Sequence, residues 1–166
     1  MANKALFLDR DGIVNEDTGY VFQAEQFRFV EGIFDLCRTA MNKGYMIIVA
    51  TNQSGIERGY YTEAEYQALT EWMLSHFRGA GVVITDVLHC PMLSGPDRKP
   101  NPGMFLTAQK KHSIHMSASV SLGDKERDVQ AGRRAGIGKN VLLSSGHAAS
   151  EADRVITTLK EMENLL

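Results

Sequence analysis

Cysteine and long apolar runs are both scarce in this chain. Cys37 and Cys90 are the only cysteines in 166 residues, so the sequence encodes no disulfide framework. No apolar stretch reaches transmembrane length, and the first residues lack the apolar core of a secretory signal. These absences predict a cytoplasmic protein with no membrane partner.

Excess charge of either sign is also lacking. The formal net charge is −2 at pH 7, which argues against nucleic acid as a partner and against broad binding to anionic surfaces. The chain contains no internal repeat, low-complexity segment or linker. Its length suffices to bury a substantial core, so we expect one domain over residues 1–166, and a monomer.

Apolar runs alternate with helical patterns along the chain. Strands are predicted at residues 5–8, 46–50, 82–88, 117–122 and 140–143, with a short edge strand at 153–156. Helical stripes are predicted at residues 33–43, 62–78, 103–112 and 127–135, with a final helix after residue 158. This alternation predicts an α/β fold with a Rossmann-like, doubly wound parallel sheet of five to six strands and helices on both faces. No helical insertion is large enough to form a separate cap domain.

Polar clusters follow three of the predicted strands. Because parallel strands place their ligands at their carboxyl ends, these clusters should converge on one crevice, joined by Arg98 and Lys99 from a loop. The clusters are Asp9/Asp11, Thr51/Asn52/Gln53 and Asp124/Lys125.

This set of residue types suits the transfer of a phosphoryl group. Carboxylates without a histidine–cysteine set favour Mg²⁺, which also retains oxygen ligands from water and phosphate. Lysine, arginine and neutral donors would meet the remaining phosphate oxygens. One carboxylate can attack phosphorus while the second moves protons. The alternative interpretation of the Asp-x-Asp-Gly stretch is a surface turn.

The order of these clusters resembles the haloacid dehalogenase superfamily of phosphatases. The shared motifs are Asp9-x-Asp-Gly, Thr51, Lys99 and Gly123-Asp-x-x-x-Asp128. Further stretches resemble the histidinol-phosphatase-like branch, and within it the heptose 1,7-bisphosphate 7-phosphatases. They are Asp9-Arg-Asp-Gly-Ile-Val-Asn15, Gly19-Tyr-Val21, Thr51-Asn-Gln-Ser-Gly-Ile56, Arg58-Gly59 and Arg98-Lys-Pro100.

The resemblance implies a role for each matching residue. Asp9 would be the nucleophile and Asp11 the general acid and base. Mg²⁺ would be held by the Asp9 side chain, the Asp11 carbonyl and Asp124. The phosphoryl group would be held by Thr51 and Lys99, with Arg98 positioning the substrate, while Asp128 would orient a lysine or the loop backbone. The remaining substrate contacts would be Asp17, Thr18, Gly19, Tyr20, Asn52, Gln53, Ser54, Arg58 and Lys125.

One departure from that branch concerns a structural zinc loop of Cys-x-His and Cys-x-Cys. Cys90 is retained, but Met92, Gly95 and Asp97 stand at the other ligand positions. One thiolate cannot replace about four ligands, so no zinc is expected.

The expected substrate is a small phosphorylated sugar. The resemblance implies removal of the 7-phosphate of heptose 1,7-bisphosphate, a step towards lipopolysaccharide or other surface glycans. Two alternatives stay open at this point. One is a phosphatase for histidinol phosphate or another small phosphomonoester, and the other is a catalytically idle phosphosugar-binding protein.

Overall fold

The computed structural model describes residues 2–146 and 149–166 as six strands and five α-helices. The strands are β1 (Lys4–Leu8), β2 (Tyr45–Asn52), β3 (Asp86–Cys90), β4 (Val120–Gly123), β5 (Lys139–Leu143) and β6 (Arg154–Ile156). The helices are α1 (Ile33–Asn42), α2 (Glu63–Gly79), α3 (Gly103–His112), α4 (Glu126–Arg134) and α5 (Leu159–Glu163).

The six strands form one parallel sheet in the order β3-β2-β1-β4-β5-β6. In the centre, Leu8 of β1 is in register with Val49 of β2 and with Leu122 of β4. Chain order reverses on either side of β1, which opens a crevice at the carboxyl ends of these strands. The predicted doubly wound sheet is confirmed.

Each face of the sheet carries its own apolar core. Successive residues of a strand point to opposite faces, so Leu6 and Phe7 enter different clusters. Leu6 belongs with buried residues of α1, α2 and α5, such as Met73. Phe7 belongs with buried residues of α3 and α4, including Phe105, whose ring it meets edge-on at 5.1 Å. Helices therefore cover both faces, as predicted.

The beginnings of two strands differ from the sequence prediction. β3 begins at Asp86 rather than at residue 82, because the preceding residues form a connection in which Val83 is 64% exposed. β4 begins at Val120 rather than at residue 117, since Met116–Ala118 forms a 3-10 turn. The Ser119 hydroxyl stabilises that turn by donating to the carbonyl of His115.

The segment between β1 and α1 folds back over the carboxyl edge of the sheet. Its ends are joined by backbone hydrogen bonds from Val30 to Val14 and from Glu16 to Arg28. The one regular element inside it is a 3-10 turn at Ala24–Gln26, so no cap domain is inserted here in the described chain. We call residues 15–31 the flap. No helix among the described residues is long and apolar enough to cross a membrane.

Candidate active site

The chain turns sharply where β1 ends. The Asp9 amide still donates to the Leu122 carbonyl, and Gly12 then adopts a φ of 98°, which favours glycine. A Cβ at Gly12 would lie 2.1 Å from Oδ2 of Asp124. The close approach of this backbone to Asp124 therefore requires glycine.

Lys99 lies at the floor of the crevice between two carboxylates. Its Nζ is 3.0 Å from Asp9 Oδ1 and 2.7 Å from Asp128 Oδ1, and it donates to the Ala50 carbonyl at 2.8 Å. Burial alone would lower the pKa of the Lys99 ammonium, but Asp128 and Asp9 outweigh burial and hold that pKa above its ordinary value. Lys99 therefore supplies a permanent positive charge beside Asp9.

The backbone of Lys99 is fixed by a side chain from the end of β2. Asn52 accepts a hydrogen bond from the Lys99 amide at 3.0 Å and donates one to its carbonyl at 3.1 Å. This paired contact joins the loop before α3 to the central strands. It explains how a residue far along the chain reaches Asp9.

Three carboxylates, those of Asp9, Asp124 and Asp128, have oxygens within 4.8 Å of one another. Burial, followed by repulsion from Asp128, raises the pKa of Asp9 well above its ordinary value, and the same two causes raise the pKa of Asp124. Asp128 is already occupied, since it pairs with Lys99 and accepts from the Lys125 amide. Asp124 Oδ1, by contrast, is buried without a hydrogen-bond partner among the described residues.

A hard divalent cation between Asp9 and Asp124 fits these observations. It would neutralise the two carboxylates and provide a partner for the buried Asp124 oxygen. Asp128 is better suited to orienting Lys99 than to binding metal.

The Asp11 carboxylate, which also lines the crevice, is surrounded by hydrogen-bond donors. Its Oδ1 accepts from Arg10 Nη2 at 2.9 Å and from Asn15 Nδ2 at 3.0 Å. Its Oδ2 accepts from Gln53 Nε2 at 3.0 Å. Arg10 also donates to the Val21 carbonyl at 2.7 Å, which ties this carboxylate to the flap.

These groups surround a cavity of about 320 Å³ that is acidic at its floor and cationic around its mouth. Its walls are formed by the ends of β1, β2 and β4, the flap and the loop before α3. The lining residues are Asp9, Asp11, Asp17, Gly19, Tyr20, Asn52, Gln53, Ser54, Arg58, Tyr61, Arg98, Lys99, Asp124, Lys125, Arg127 and Asp128. Such a cavity suits a small anion bound together with a metal.

Comparison with known proteins assigns this site to a family. The HAD-hydrolase-like family profile matches residues 97–162. A D-glycero-alpha-D-manno-heptose-1,7-bisphosphate 7-phosphatase of Burkholderia mallei is 42% identical over 176 residues, covering 100% of this chain and 93% of that protein. The chain belongs to the heptose-bisphosphate phosphatase family of HAD-like hydrolases.

Two further comparisons describe this phosphatase family. A D-glycero-beta-D-manno-heptose-1,7-bisphosphate 7-phosphatase of Helicobacter pylori is 46% identical over 145 residues, covering 85% of this chain and 84% of that protein. A crystal structure of D,D-heptose 1,7-bisphosphate phosphatase from B. bronchiseptica, complexed with magnesium and phosphate, superposes with a TM-score of 0.86. It is 26% identical and covers 98% of this chain and 97% of that one.

Most of the residues expected at the phosphatase site line one cavity, with two exceptions. Thr51 lies beneath the lining, 1% exposed, where its hydroxyl accepts from Gln53 Nε2 at 3.0 Å. Thr18 is exposed and does not line the cavity, although its neighbours Asp17 and Gly19 do.

Sequence reasoning missed four residues at or beneath the cavity: Arg10, Asn15, Tyr61 and Arg127. Arg127 lies in the first turn of α4, directly after a strand-end cluster, so its position in the sequence could have indicated it. Tyr61 follows the Arg58-Gly59 pair, but no periodicity predicts that its ring turns inwards.

The loop that contains Met92, Gly95 and Asp97 is held by hydrogen bonds to neighbouring residues. The Glu57 carboxylate accepts from the Leu93 amide, and the Glu57 amide donates to the Pro91 carbonyl. Asn101 Nδ2 donates to the Gly95 carbonyl at 2.9 Å. The loop is thus joined to the turn that carries Arg58, and both lead into the cavity.

Proposed function

We propose that this protein is a Mg²⁺-dependent phosphomonoesterase that removes the 7-phosphate of heptose 1,7-bisphosphate through an aspartyl-phosphate. The observation that carries the proposal is the position of Asp9. Its carboxylate lies on the cavity floor, 3.0 Å from a buried ammonium and beside Asp124, in a chain 42% identical to a heptose bisphosphate phosphatase.

In the first step, a carboxylate oxygen of Asp9 attacks phosphorus. A bond forms between this oxygen and phosphorus while the bond from phosphorus to the sugar oxygen breaks. The protonated Asp11 carboxyl gives its proton to the departing oxygen, which leaves as a neutral alcohol. Lys99 offsets negative charge at the reacting group.

In the second step, water attacks the phosphorus of the aspartyl-phosphate. Asp11, now a carboxylate, takes a proton from this water as the new oxygen–phosphorus bond forms. The bond from phosphorus to Asp9 breaks, so inorganic phosphate leaves and both carboxyl groups regain their starting states. The step therefore needs no reactant other than water.

The metal would be held by the side chains of Asp9 and Asp124 and by the backbone carbonyl of Asp11. When bound, Mg²⁺ supplies positive charge that keeps Asp9 ionised and offsets charge on the phosphoryl oxygens. The orphaned Asp124 oxygen and the glycine-dependent approach of the Gly12 backbone support this assignment.

A bisphosphate substrate is supported by the cations around the mouth. The floor provides Lys99 for the phosphoryl group that is transferred. Arg58, Arg98, Lys125 and Arg127 line the same cavity and can meet a second phosphate. The relatives are named as heptose bisphosphate phosphatases, which favours this substrate over histidinol phosphate. Some of these names specify the alpha anomer of the substrate and others the beta anomer.

We further propose that the protein functions without zinc, as a cytoplasmic monomer. The hydrogen-bonded loop at residues 91–98 and the single retained thiol support function without zinc. The free cysteines Cys37 and Cys90 support a cytoplasmic protein. The cations that line the cavity support a phosphorylated sugar as its partner, and a monomer is the state we propose for a chain of this size.

An assay with nitrophenyl phosphate tests the mechanism independently of the sugar. Turnover should require Mg²⁺ and should fall by about a thousandfold or more in Asp9→Asn, which lacks the attacking oxygen. Acid-quenched wild-type enzyme should carry a phosphoryl group, and the variant should carry none. Turnover by Asp9→Asn without Mg²⁺ would contradict the mechanism.

A further inference from the structure

We propose that Tyr61 and Gln53 are positioning residues for Asp11, acting through a hydrogen-bond chain that presents one carboxylate oxygen for proton transfer. The inference rests on the proposed role of Asp11 as general acid and base. Gln53, which the sequence predicted to contact substrate, would instead orient Asp11, and Tyr61 would hold Gln53 in place.

The two oxygens of Asp11 have different surroundings. Oδ1 accepts three hydrogen bonds, from Arg10 Nε at 3.2 Å, Arg10 Nη2 at 2.9 Å and Asn15 Nδ2 at 3.0 Å. Oδ2 accepts one, from Gln53 Nε2 at 3.0 Å. A carboxylate oxygen has about two lone-pair sites, so Oδ1 is saturated and Oδ2 retains one. Oδ2 is therefore the Asp11 oxygen with capacity left for a bond to substrate or water.

Both ends of the Gln53 amide form hydrogen bonds within the protein. Its Nε2 donates to Asp11 Oδ2 and to Thr51 Oγ1, each at 3.0 Å, and its Oε1 accepts from the Tyr61 hydroxyl. The opposite amide orientation would direct Oε1 at the Asp11 carboxylate, which repels it. Gln53 as a whole is only 2% exposed. Its partners therefore suit it to orienting Asp11.

Tyr61 is held so that its hydroxyl must donate. A Cβ at Gly55 would lie 2.2 Å from Cε1 of Tyr61, so the absence of a side chain there makes room for the ring. Phe22 of the flap stacks on the same ring at 5.4 Å with planes 5° apart. Burial raises the pKa of Tyr61 to about 12, so the phenol keeps its proton at neutral pH.

Removing the Tyr61 hydroxyl leaves Gln53 Oε1 without its donor and frees the amide to rotate. The one donor to Asp11 Oδ2 then loses its fixed position, while the contact between Asp9 and Lys99 is unaffected. General-acid assistance matters most when the leaving oxygen is strongly basic, as in an alkyl or sugar phosphate. A nitrophenyl phosphate has a stable leaving group and needs little of this assistance.

The test compares Tyr61→Phe with wild type on heptose 1,7-bisphosphate and on nitrophenyl phosphate. Loss of the hydrogen bond from the Tyr61 hydroxyl to Gln53 should lower kcat/KM about tenfold for the sugar substrate. For the aryl substrate kcat/KM should fall by less than about twofold. KM should not rise for either substrate. Gln53→Met, which removes both polar ends of the amide, should give a larger difference in the same direction.

Tyr60→Phe is the matched control, since Tyr60 is 55% exposed and packs edge-on against Tyr20. It should leave the ratio between the two substrates unchanged. Equal losses of kcat/KM on both substrates in Tyr61→Phe and Gln53→Met, or a change confined to KM, would overturn the inference. Wild-type protein that is inactive on both substrates would instead overturn the proposed function.

Discussion

Lys99 Nζ lies 2.7 Å from the carboxylate of Asp128, and both side chains are buried. The same ammonium lies 3.0 Å from Asp9, so one positive charge is shared by two carboxylates. Asp128 also caps the start of α4 by accepting from the Lys125 amide. The Asp128 carboxylate therefore helps to hold the Lys99 ammonium beside Asp9.

Lys99→Met should destabilise the protein by about 3–5 kcal/mol, because it leaves two buried carboxylates without their partner. Combining it with Asp128→Asn should cost less than the sum of the single changes, since the second change removes one uncompensated charge. Urea unfolding of the four proteins in the absence of metal measures this coupling. Strictly additive losses would show that the pair is not coupled.

Gly12→Ala should abolish stabilisation of the fold by Mg²⁺. In wild type, free Mg²⁺ at a hundred times its Kd should add about 2.7 kcal/mol to the free energy of unfolding. The added methyl group displaces Asp124, so thermal unfolding of the variant should not respond to Mg²⁺.

Gly136→Ala provides the control for that experiment. Gly136 has a φ of 84°, but a Cβ there would meet no atom within 4 Å. This variant should lose stability through backbone strain and still respond to Mg²⁺. A normal Mg²⁺ response in Gly12→Ala would remove Asp124 from the proposed metal site.

Asp86→Asn should weaken the fold at neutral pH by about 1–2 kcal/mol. Burial would raise the pKa of Asp86, but hydrogen bonds from His112 and Lys111 outweigh burial and lower that pKa. A carboxyl whose pKa is lowered by folding stabilises the protein above its unfolded pKa. It loses this contribution as the pH falls through the folded pKa.

The difference in unfolding free energy between wild type and Asp86→Asn should therefore shrink as the pH falls from about 5 towards 3. Asp35→Asn is the control, because Asp35 pairs with Arg38 on an exposed helix surface and should matter little. A difference that stayed constant or grew over this range would contradict the assignment.

The sheet and its edge could be predicted because each polar cluster directly follows a buried strand. Asp9, Asn52 and Asp124 end their strands at the same edge, so a parallel sheet brings them together. Local patterns were less reliable at strand beginnings. The residues before β4 alternate between polar and apolar, as in a strand, but the Ser119 hydroxyl donates to the His115 carbonyl and stabilises a 3-10 turn. The strand therefore begins only at Val120.

Contacts that depend on side-chain direction could not be predicted from the sequence. Arg10 lies between two carboxylates, yet its guanidinium turns back to bind both Asp11 and the flap. Tyr61 reaches Gln53 because Gly55 leaves space for its ring. No repeating pattern in the sequence indicates either contact, because each depends on how the flap and the turn after β2 pack together.

The most direct test of the proposed activity is to follow heptose 1,7-bisphosphate by phosphorus NMR with wild-type protein and Mg²⁺. The 7-phosphate signal should disappear as inorganic phosphate appears, and the 1-phosphate signal should remain. Turnover should stop on chelation of Mg²⁺ and should be absent in Asp9→Asn. Release of the 1-phosphate, or faster turnover of histidinol phosphate under the same conditions, would contradict the proposal.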